Sequence, residues 1–596
     1  MKNKLSLYSV FCLLSASAVL TGCTKQSVSP IRLNQVGFSP LQEKTATIHV
    51  CSEQTSPCAV VILSAAGDTV WRGTASATIL NPVSGKPRQL VDFSDLTTPG
   101  TYTLYANTGM SIVHCQLSIS ERPYRELTRA ALRAYYHQRA SMATEEPYAE
   151  GYARPAGHPD DHVLVHASAA TDTRPEGTVI SSPGGWYDAG DYNKYIVNSG
   201  YTMGVWLMAY EMNKAYFDTL RLNIPPSLEG RAGEGFPMPD MLAEAMYNIR
   251  WMLTMQDTDG GVYHKLTEPD FEGFVRPDEC RKTRYVVLKT TAAALDFAAT
   301  MALAARVYAP FEAAYPGFVA EATKAAKRAY QWAEDNPIVY YDQPKMNEHF
   351  SPAITTGAYD DNCVVDEFYW AATELYLLTH DNVYKEKALN TCPEEYTPAV
   401  WGDVAELASL EWMMHRDEQF DFALECQDAL FSHLLPYIEE GETVSVYRSP
   451  YGNRENDFFW GCNSEGCCWR GVECLYAYRL TGDERYRINA ERCLNYVLGQ
   501  NATGYCYVTG FGTNPTKHPH HRLSYSHAKG TLPGFLAGGP NPARQDAETD
   551  GVKYPKGIAA DESYLDYQPS YASNEVTINW NVTLFALTAG IDALEQ

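Results

Sequence analysis

The sequence predicts two domains of unequal size, a β-sandwich over residues 31–119 and an all-helical domain over residues 120–596. In the first region, short runs rich in β-branched residues alternate with turn dipeptides such as Pro99-Gly100, which is typical of an antiparallel sandwich. After Pro123, apolar residues recur at intervals of three and four, the spacing of amphipathic helices. A chain of 596 residues with 45% hydrophobic content is long enough to bury both cores.

The elements follow one another in a simple order. Strands are predicted over residues 45–50, 59–63, 101–106 and 112–119, and helices over segments that include 126–139, 241–255, 290–307, 367–378 and 471–479. Long loops rich in Gly, Pro, Asp and aromatic residues interrupt the helices at 144–198 and 499–574. Loops of this length in a compact domain usually carry function. About a dozen helices with their loops gathered at one end are compatible with a ring of paired helices.

Composition narrows the class of ligand. The net charge of -25 and the pI near 5.0 oppose binding to nucleic acid, because a polyanion is repelled at long range. Aromatic residues make up 12% of the chain, including 41 Tyr and 11 Trp. Their flat faces stack well on sugar rings, although most aromatic side chains serve the core of a protein.

The N-terminus has the pattern of a bacterial lipoprotein signal. Two lysines precede an apolar run from Leu5 to Leu20, which is too short for a membrane span, and Cys23 follows. We expect residues 1–22 to be removed, Cys23 to carry lipid and residues 23–30 to form a tether. The alternative is an ordinary secretory peptide with a Cys at this position by chance. The first interpretation anchors the protein to a bacterial membrane through lipid only, in the periplasm or at the cell surface.

Cysteine usage predicts few cross-links. Of the 15 cysteines, Cys12 belongs to the signal and Cys23 to the lipid site, which leaves an odd number. Cys51 and Cys58 are the one close pair that we predict as a disulfide. A tighter group contains no CxxC pair, which favours buried thiols over a zinc site. That group comprises Cys462, Cys467, Cys468 and Cys474.

Two strings carry carboxyl groups suited to acid–base chemistry. Residues 184–195 read GGWYDAGDYNKY, so Asp188 and Asp191 lie on one glycine-bounded loop and can converge on a single water molecule. A bare pair of this spacing is more often a calcium-binding or capping turn. Near the C-terminus, Glu575 lies among apolar and aromatic residues, which should raise its pKa and let it hold a proton near neutral pH. A Glu before a helix can also simply interact with the helix dipole.

Two further strings suggest ligand contacts. The string His518-Pro519-His520-His521-Arg522 could bind zinc, but the Arg among the histidines and the lack of a nearby carboxylate favour hydrogen bonds to sugar hydroxyls. The acidic turn 356–361, followed by Asp366-Glu367, offers the oxygen ligands that calcium prefers. On spacing alone, a solvated acidic turn is equally compatible.

Together these strings resemble glycoside hydrolase family 9, the inverting cellulases, preceded by the immunoglobulin-like domain often found on bacterial members. The likeness covers nearly the whole mature chain, from IRLNQVGF at 31–38 to Asn574-Glu575. It implies a multidomain fold in which an immunoglobulin-like β-sandwich precedes an (α/α)6 barrel with an open cleft at one end. The other matching strings are Arg154-Pro155, residues 184–191, PDML at 239–242, WGCN at 460–463, PHHR at 519–522 and GGPN at 538–541.

The resemblance implies a role for each matching residue. Asp191 would be the general base that activates water, Asp188 would help to position that water, and Glu575 would donate a proton to the leaving oxygen. Inversion requires the two carboxyl groups to flank the sugar at roughly 6.5–9.5 Å, so that a water molecule fits between them. The implied substrate contacts are His520, Arg522, Asp566, Tyr571, Trp460, Trp401 and Trp370.

The resemblance also bears on metals. Some bacterial relatives hold a structural zinc ion through Cys and His, but the matching positions here read Ser141, Gly157-His158 and Asn193. Because the cysteines are absent, we expect no zinc and expect other contacts to hold this segment. A structural calcium ion is implied at the acidic turn. Its implied ligands are Thr356, Gly357, Asp360, Asp361 and Asp403.

The sequence thus predicts a monomeric, inverting endo-β-1,4-glucanase that acts on cellulose-type glucan, xyloglucan or mixed-linkage glucan. One alternative is an exo-acting cellodextrinase of the same family. The other is a lipoprotein that binds glycans without turnover, and the presence of Asp188, Asp191 and Glu575 argues against it.

Overall fold

The computed structural model of the chain describes residues 29–225 and 238–594. The predicted signal segment 1–22, the predicted lipid-attachment residue Cys23 and most of the predicted tether lie outside the described residues.

The N-terminal domain consists of two four-stranded antiparallel sheets, in the orders β1-β2-β6-β5 and β4-β3-β7-β8. Ile62, Val91 and Leu104 are at most 1% exposed and belong to the core of the sandwich, as expected for alternating inward residues. Strand β4 was not predicted because exposed residues interrupt its apolar run, and β6 was not predicted because it contains the polar but buried residues Arg88 and Gln89. The strands are β1 (Ile31–Arg32), β2 (Thr45–His49), β3 (Ala59–Ser64), β4 (Thr69–Thr74), β5 (Ile79–Leu80), β6 (Pro87–Asp92), β7 (Gly100–Asn107) and β8 (Ile112–Ile119).

Helices dominate the rest of the chain. They are α1 (Arg125–Gln138), α2 (Ile196–Met212), α3 (Lys214–Thr219), α4 (Asp240–Thr254), α5 (Thr291–Tyr308), α6 (Phe318–Asp335), α7 (Gln343–His349), α8 (Val365–Thr379), α9 (Asn382–Thr391), α10 (Ala405–Met414), α11 (Phe420–Thr443), α12 (Trp469–Thr481), α13 (Glu484–Val497), α14 (Arg522–Ser526), α15 (Tyr571–Asn574) and α16 (Ile578–Ala593).

A circuit of helix contacts organises this domain. Helix α2 packs on α5, α5 on α8 and α8 on α10, while α12 packs on α16 and α16 on α2. Between α10 and α12, the Trp469 indole N–H donates to Glu406 Oε2 at 2.6 Å. A second set packs against this circuit, with α1 on α16, α6 on α5, α9 on α8 and α13 on α12. The helices of the circuit, such as α5 and α16, are buried along nearly their whole length, which explains why they are apolar all round.

Helix α5 and the segment after it are apolar and long enough to span a membrane, but 89% of the apolar window is buried inside the fold. Such burial identifies a core helix of the barrel-like circuit.

A small five-stranded sheet takes three strands from the predicted loop 144–198 and two from the segment between helices α4 and α5. Its order is β10-β9-β13-β12-β11, and β11 forms the end of the string that contains Asp191. Its strands come from segments far apart in the chain, so no local pattern announces it. The strands are β9 (Val163–Val165), β10 (Val179–Ile180), β11 (Lys194–Tyr195), β12 (Lys265–Thr267) and β13 (Tyr285–Val286).

Buried polar contacts fix the sandwich to the helical domain. Asn34 Nδ2 donates to Asn495 Oδ1 at 2.8 Å. The Arg492 guanidinium donates to both carboxylate oxygens of Glu43 at 2.7 Å. Such two-point ion pairs set orientation as well as distance, so the sandwich is held in one orientation on the larger domain.

All cysteines of the described residues are free thiols. The prediction of a Cys51–Cys58 disulfide is therefore wrong: Cys58 points into the sandwich core with no exposure, whereas Cys51 is only partly buried. The prediction of buried core thiols is confirmed for the group Cys462, Cys467, Cys468 and Cys474.

Candidate active site

A network of buried groups fixes the loop 184–195. The Trp186 side chain is fully buried, and its indole N–H donates to Glu244 Oε1 at 3.0 Å. Lys194 Nζ pairs with Asp160 Oδ2 at 2.8 Å, and neither side chain is exposed. Loss of one partner would leave a buried charge unpaired, which is costly. The network therefore holds the loop in one position, with Asp188 and Asp191 between the two anchors.

Hydrogen bonds hold the Asp191 side chain through only one of its two carboxylate oxygens. Its Oδ2 accepts hydrogen bonds from Asn193 Nδ2 at 2.5 Å and from the Tyr195 hydroxyl at 3.1 Å. Within the described part of the chain, no hydrogen bond reaches Oδ1, and the residue is 6% exposed. A carboxylate anchored in this way can take a proton from water on its free oxygen, as a general base must.

Both oxygens of Asp188 are engaged. Oδ1 accepts a hydrogen bond from Asn198 Nδ2 at 2.6 Å, and Oδ2 accepts one from the Tyr359 hydroxyl at 2.6 Å. Burial and the nearby charge of Asp191 raise the pKa of Asp188. The carboxyl group is thus held rigidly beside the base, where it shapes the position and electrostatics of that base rather than reacting itself.

Glu575 directly follows α15 and is fixed by its backbone. Gly538 N donates to the Glu575 carbonyl at 2.9 Å, and His520 N donates to the Asn574 carbonyl at 2.9 Å. Burial and the negative charge of Asp191 raise the pKa of Glu575 to about 8. Its carboxyl group is therefore protonated at neutral pH, which is the state that a general acid requires.

Gly190 brings the string 184–195 close to Glu575. A Cβ on Gly190 would overlap the His520 carbonyl oxygen and would lie 3.2 Å from Glu575 Oε1. The Gly190 carbonyl accepts hydrogen bonds from the Arg522 backbone N–H at 3.1 Å and from Arg522 Nη1 at 2.7 Å. The two catalytic strings, separated by hundreds of residues in the chain, therefore touch through the backbone of one glycine.

His520 is a neutral hydrogen-bonding group at this site. Its Nδ1 lies 2.9 Å from the Gln568 carbonyl oxygen. A carbonyl can only accept, so Nδ1 carries the proton and Nε2 remains an acceptor. Burial lowers the pKa of His520 to about 4. The ring is therefore uncharged at neutral pH and suited to accept a hydrogen bond from a sugar hydroxyl.

Arg522 and Asp566 hold the protein's own loops. In addition to its Gly190 contacts, Arg522 donates from Nε to the Glu272 carbonyl at 2.9 Å. The Asp566 carboxylate accepts hydrogen bonds from the backbone N–H groups of Lys517 at 3.0 Å and His518 at 2.7 Å. Both predicted contact residues thus lie at the site. In this structure their side chains form hydrogen bonds to the backbone of the surrounding loops and so position those loops.

Exposed aromatic side chains border the acid. Trp460 is 46% exposed, and its ring centroid lies 6.0 Å from that of Tyr571. Tyr571 in turn lies 5.9 Å from the His520 ring. Trp401 is half-buried and packs on Tyr359, with ring centroids 5.0 Å apart. Faces of this kind can stack on the rings of a bound glucan.

Trp370 does not belong to the cleft. Its side chain lies in the core of the helical domain with 0% exposure, and its indole N–H donates to Glu374 Oε1 at 3.3 Å. Helix α8 turns this side chain towards Gly204 of α2, where a Cβ would approach Trp370 to 2.7 Å. Trp370 therefore packs between two helices and is not the substrate contact that the resemblance implied.

Sequence reasoning missed several groups that complete the site. Asn193 and Tyr195 lie inside the string 184–195, so their position already pointed to the site. Asn198 and Tyr359 bind Asp188, but Tyr359 lies in the turn that was considered for calcium. Phe274 packs edge-on against His520 at 5.1 Å and comes from a segment with no motif. Asn198, Tyr359 and Phe274 could be found only from the folded chain.

The implied calcium ligands do not converge on one point. The buried ammonium of Lys265 donates to Thr356 Oγ1 at 3.1 Å and to the Gly357 carbonyl at 2.6 Å. Asp360 is exposed. The implied set of five is therefore not assembled, because a lysine occupies the positions at which a metal ion would meet Thr356 and Gly357.

The remaining acidic residues of this region include buried carboxylates without hydrogen-bond partners. Asp361 Oδ2 and both carboxylate oxygens of Glu367 and Asp296 are buried and have no hydrogen-bond partner among the described residues. Burial and the repulsion of Asp403 and Asp366 raise the pKa values of Asp361 and Glu367. Orphaned carboxylate oxygens grouped in this way are the donors that calcium prefers.

Comparisons with known proteins identify relatives over the full length. The family model described as glycosyl hydrolase family 9 matches residues 124–588, and that described as cellulase N-terminal ig-like domain matches residues 26–111. The chain is 47% identical over 594 residues to a xyloglucan-specific endo-beta-1,4-glucanase of Bacteroides ovatus, which covers 98% of each chain.

Solved structures agree with this similarity. The structure described as Bacteroides ovatus GH9 superposes with a TM-score of 0.88 at 45% identity, over 95% of this chain and 99% of that chain. A single mutant of a thermostable endoglucanase from Alicyclobacillus acidocaldarius superposes with a TM-score of 0.82 at 29% identity, over 95% and 99% of the two chains.

Proposed function

The chain belongs to glycosyl hydrolase family 9 and is an endo-1,4-β-glucanase of that family, and we propose that it cleaves the β-1,4-linked backbone of xyloglucan with inversion. In this proposal Asp191 is the general base and Glu575 the general acid. One observation carries it: a carboxylate with a free oxygen and a carboxyl group protonated at neutral pH meet across Gly190.

The reaction follows from these two groups. A water molecule attacks the anomeric carbon from the α face while its proton passes to Asp191 Oδ1. Glu575 gives its proton to the oxygen that leaves with the other half of the chain, so the C1–O bond breaks without a charged alkoxide. Because attack and departure occur on opposite faces, the β-linkage yields an α-anomer. His520 Nε2 and the faces of Trp460 and Tyr571 orient the sugar rings.

Xyloglucan is proposed as substrate on the basis of the Bacteroides ovatus relative. That protein is described as xyloglucan-specific, and the similarity spans 98% of both chains. The half-exposed aromatic side chains around Glu575 suit a glucan backbone, whose sugar faces are apolar. Unbranched cellulose-type glucan and mixed-linkage glucan remain the comparison substrates.

The experiment is a time course on a panel of polysaccharides, with the product anomer followed by NMR. The panel contains xyloglucan, carboxymethylcellulose, mixed-linkage β-glucan, xylan and glucosamine polymers. We expect xyloglucan to be cleaved fastest and the α-anomer to appear first. Release of the β-anomer would overturn inversion, a preference for another glucan would overturn the substrate, and no release would favour a binding protein without turnover.

We propose that the circuit of helices α2, α5, α8, α10, α12 and α16, with its outer set, is an (α/α)6 barrel. The pairwise packing of consecutive helices supports this arrangement. It would place the long loops, and with them the acid and base, at one end of the barrel.

We also propose that Asp361 and Asp403, with Asp366 and Glu367, hold a structural calcium ion. When bound, the ion would neutralise the buried carboxylates and so stabilise the fold. Chelation should lower the Tm of the wild type and have little effect on Asp361→Asn. The variant Asp360→Asn, at an exposed side chain, is the matched control. Equal Tm in chelator and in calcium would contradict the proposal.

For localisation, we propose that Cys23 carries lipid and anchors the protein in the periplasm or at the cell surface, with a single chain as the active unit. The signal pattern at residues 1–23 supports this. The variant Cys23→Ala should move the protein from the membrane fraction to the soluble fraction. An unchanged distribution would contradict lipid attachment.

A further inference from the structure

A groove between α1 and two loops lies outside the candidate active site. Its volume is about 310 Å³, which falls within the range of about 300–1,000 Å³ for small-molecule sites. Helix α1 contributes Arg129, Arg133 and His137 to its lining, and the loops contribute Tyr152 and Phe511. None of the residues that we assign to the cleft or to the acid–base mechanism lines it.

Close backbone packing shapes the groove. Gly534 has a φ of +88°, and a Cβ at this position would lie 2.3 Å from the Ala130 carbonyl oxygen of α1. The Gly534 backbone N–H donates to the Thr509 carbonyl at 2.9 Å. The loop that carries Phe511 therefore runs directly against the helix, so this wall of the groove is formed before a ligand arrives.

His137 is a buried polar residue without a hydrogen-bond partner. It is 4% exposed, and among the described residues no hydrogen bond reaches its ring nitrogens. Its ring instead lies 5.5 Å from that of Tyr136 and 5.8 Å from that of Tyr152. Burial lowers the pKa of His137 well below its usual value, so the neutral ring has one donor and one acceptor to offer. Buried polar groups normally have partners, and a ligand in the groove would provide one.

The charged groups of the groove have both signs. Arg129 Nη2 donates to Glu150 Oε1, and Arg133 Nε lies 3.5 Å from Glu150 Oε2. Lys529 Nζ donates to the Glu150 carbonyl at 3.0 Å. A free anion would be repelled by the Glu150 carboxylate and would meet cations that already have partners. Hydroxyl groups, which both donate and accept, fit this mixture better.

Aromatic rings complete the lining. Tyr152 and Phe511 are both partly buried. The Tyr152 hydroxyl donates to the Thr531 carbonyl at 3.1 Å, and Lys529 Nζ lies 4.1 Å from the centre of the Tyr152 ring. These contacts hold the Tyr152 ring in place, while Phe511 adds an apolar surface. Apolar ring faces beside hydrogen-bonding groups suit sugars, whose rings have apolar faces and polar edges.

We propose that this groove is a second glycan-binding site, which takes a neutral mono- or disaccharide unit of a polysaccharide while the cleft holds another part. His137 and Arg129 would contact hydroxyl groups, and Phe511 would pack on a sugar face. The glucan backbone and its side-chain sugars share this chemistry. Binding here requires neither turnover nor the acid–base pair. A second contact would keep the polymer near the cleft, because it raises the effective concentration of substrate.

Hydroxyl-radical footprinting measures the two sites separately. The full-length Asp191→Asn protein, which should leave the glycan intact, is oxidised with and without cellotetraose or xyloglucan oligosaccharides, and modified peptides are quantified by mass spectrometry. Oxidation of Phe511 should fall severalfold at saturation, and oxidation of Trp460 reports the cleft. Phe420, which is 54% exposed and lines neither site, is the control. Protection of Phe511 by both ligands indicates backbone sugars, and protection by xyloglucan oligosaccharides alone indicates side-chain sugars.

Substitutions link this protection to affinity. In the Asp191→Asn protein with Trp460→Ala to weaken the cleft, Phe511→Ala and His137→Leu should each raise the Kd for xyloglucan about tenfold. Affinity electrophoresis in gels that contain the polysaccharide measures the Kd. Phe420→Ala should have no effect. Circular dichroism checks the fold, and Phe511→Ala remains informative if the buried substitution at His137 unfolds the protein.

Three outcomes would overturn the proposal. The first is unchanged oxidation of Phe511 up to the solubility limit of both oligosaccharides, whether or not Trp460 is protected. The second is an unchanged Kd for folded Phe511→Ala. The third is retention by polygalacturonate but not by neutral glucans, which would identify an anion site. Protection of Phe511 without protection of Trp460 would contradict the proposed cleft and support the groove.

Discussion

At the scale of single residues, burial decides which carboxyl group at the active site carries a proton. Glu575 has a pKa near 8 because it is desolvated and faces the charge of Asp191. Asp191 instead accepts hydrogen bonds from Asn193 and Tyr195 on Oδ2, and its Oδ1 has no partner among the described residues. Two carboxyl groups thus take opposite roles because their surroundings differ.

The raised pKa of Glu575 predicts the alkaline limb of the pH profile. The general acid must be protonated, so activity is present below pH 8 and is lost as the pH rises through about 8. Above that point kcat/KM should fall about tenfold per pH unit. A profile of initial rates on soluble xyloglucan measures it, and a flat profile up to pH 10 would contradict the assignment.

Replacing the acid separates the two catalytic roles. Glu575→Gln removes the proton but keeps the shape, so kcat on polymeric glucan should fall by roughly 10²–10⁴-fold. Aryl glycosides with very good leaving groups need little protonation and should still be cleaved. Asp191→Asn should be inactive on both classes, because activation of water fails in either case. Equal losses for Glu575→Gln on both substrates would exclude its role as acid.

Tyr359 is predicted to act through Asp188. Tyr359→Phe removes the 2.6 Å hydrogen bond to Asp188 Oδ2, and loss of a partner to a buried carboxylate costs about 1–3 kcal/mol. We expect kcat to fall by about tenfold with little change in KM. Tyr340→Phe, at a 36% exposed side chain, is the control. An unchanged kcat would leave Tyr359 with a packing role only.

At the scale of elements, the contact between two loops decides whether the acid and base meet. Gly190 allows the loop 184–195 to touch the His520–Glu575 pair, and any side chain there would meet the His520 carbonyl. Gly190→Ala should therefore lower kcat strongly while the far-UV spectrum stays unchanged. Gly273→Ala, where a Cβ has open space, should be neutral. Full activity of Gly190→Ala would mean that the two loops can move apart without lowering kcat.

At the scale of the whole molecule, the sandwich and the helical domain are joined by buried pairs. Arg492→Met leaves the partly buried Glu43 carboxylate with only the longer contact to Arg448 Nη2 at 3.6 Å, so the free energy of unfolding should fall by about 1–3 kcal/mol. The double variant Glu43→Gln/Arg492→Met should recover part of this loss, because the carboxylate that lost its two-point partner is removed. Calorimetry measures both, and additive losses in the double variant would contradict a direct interaction.

The sequence alone predicted the order of the two domains and the residues that we propose to carry the chemistry. Strands and helices differ in the period of their apolar residues, and that period is local. Asp188 and Asp191 lie in one uninterrupted string, and Glu575 lies in another, so their chemical character could be recognised before folding. The buried thiols around Cys467 were also foreseen, since their spacing lacks a metal motif.

The tertiary structure decided what these residues touch. Trp370 became a core residue because α8 faces α2, and Lys265 took the place of a metal beside Thr356 and Gly357. The groove beside His137 is formed by segments far apart in the chain, brought together where Gly534 packs on α1. Local periodicity determines where helices and strands form. Only the packing of distant segments fixes the distances between side chains on which binding and catalysis depend.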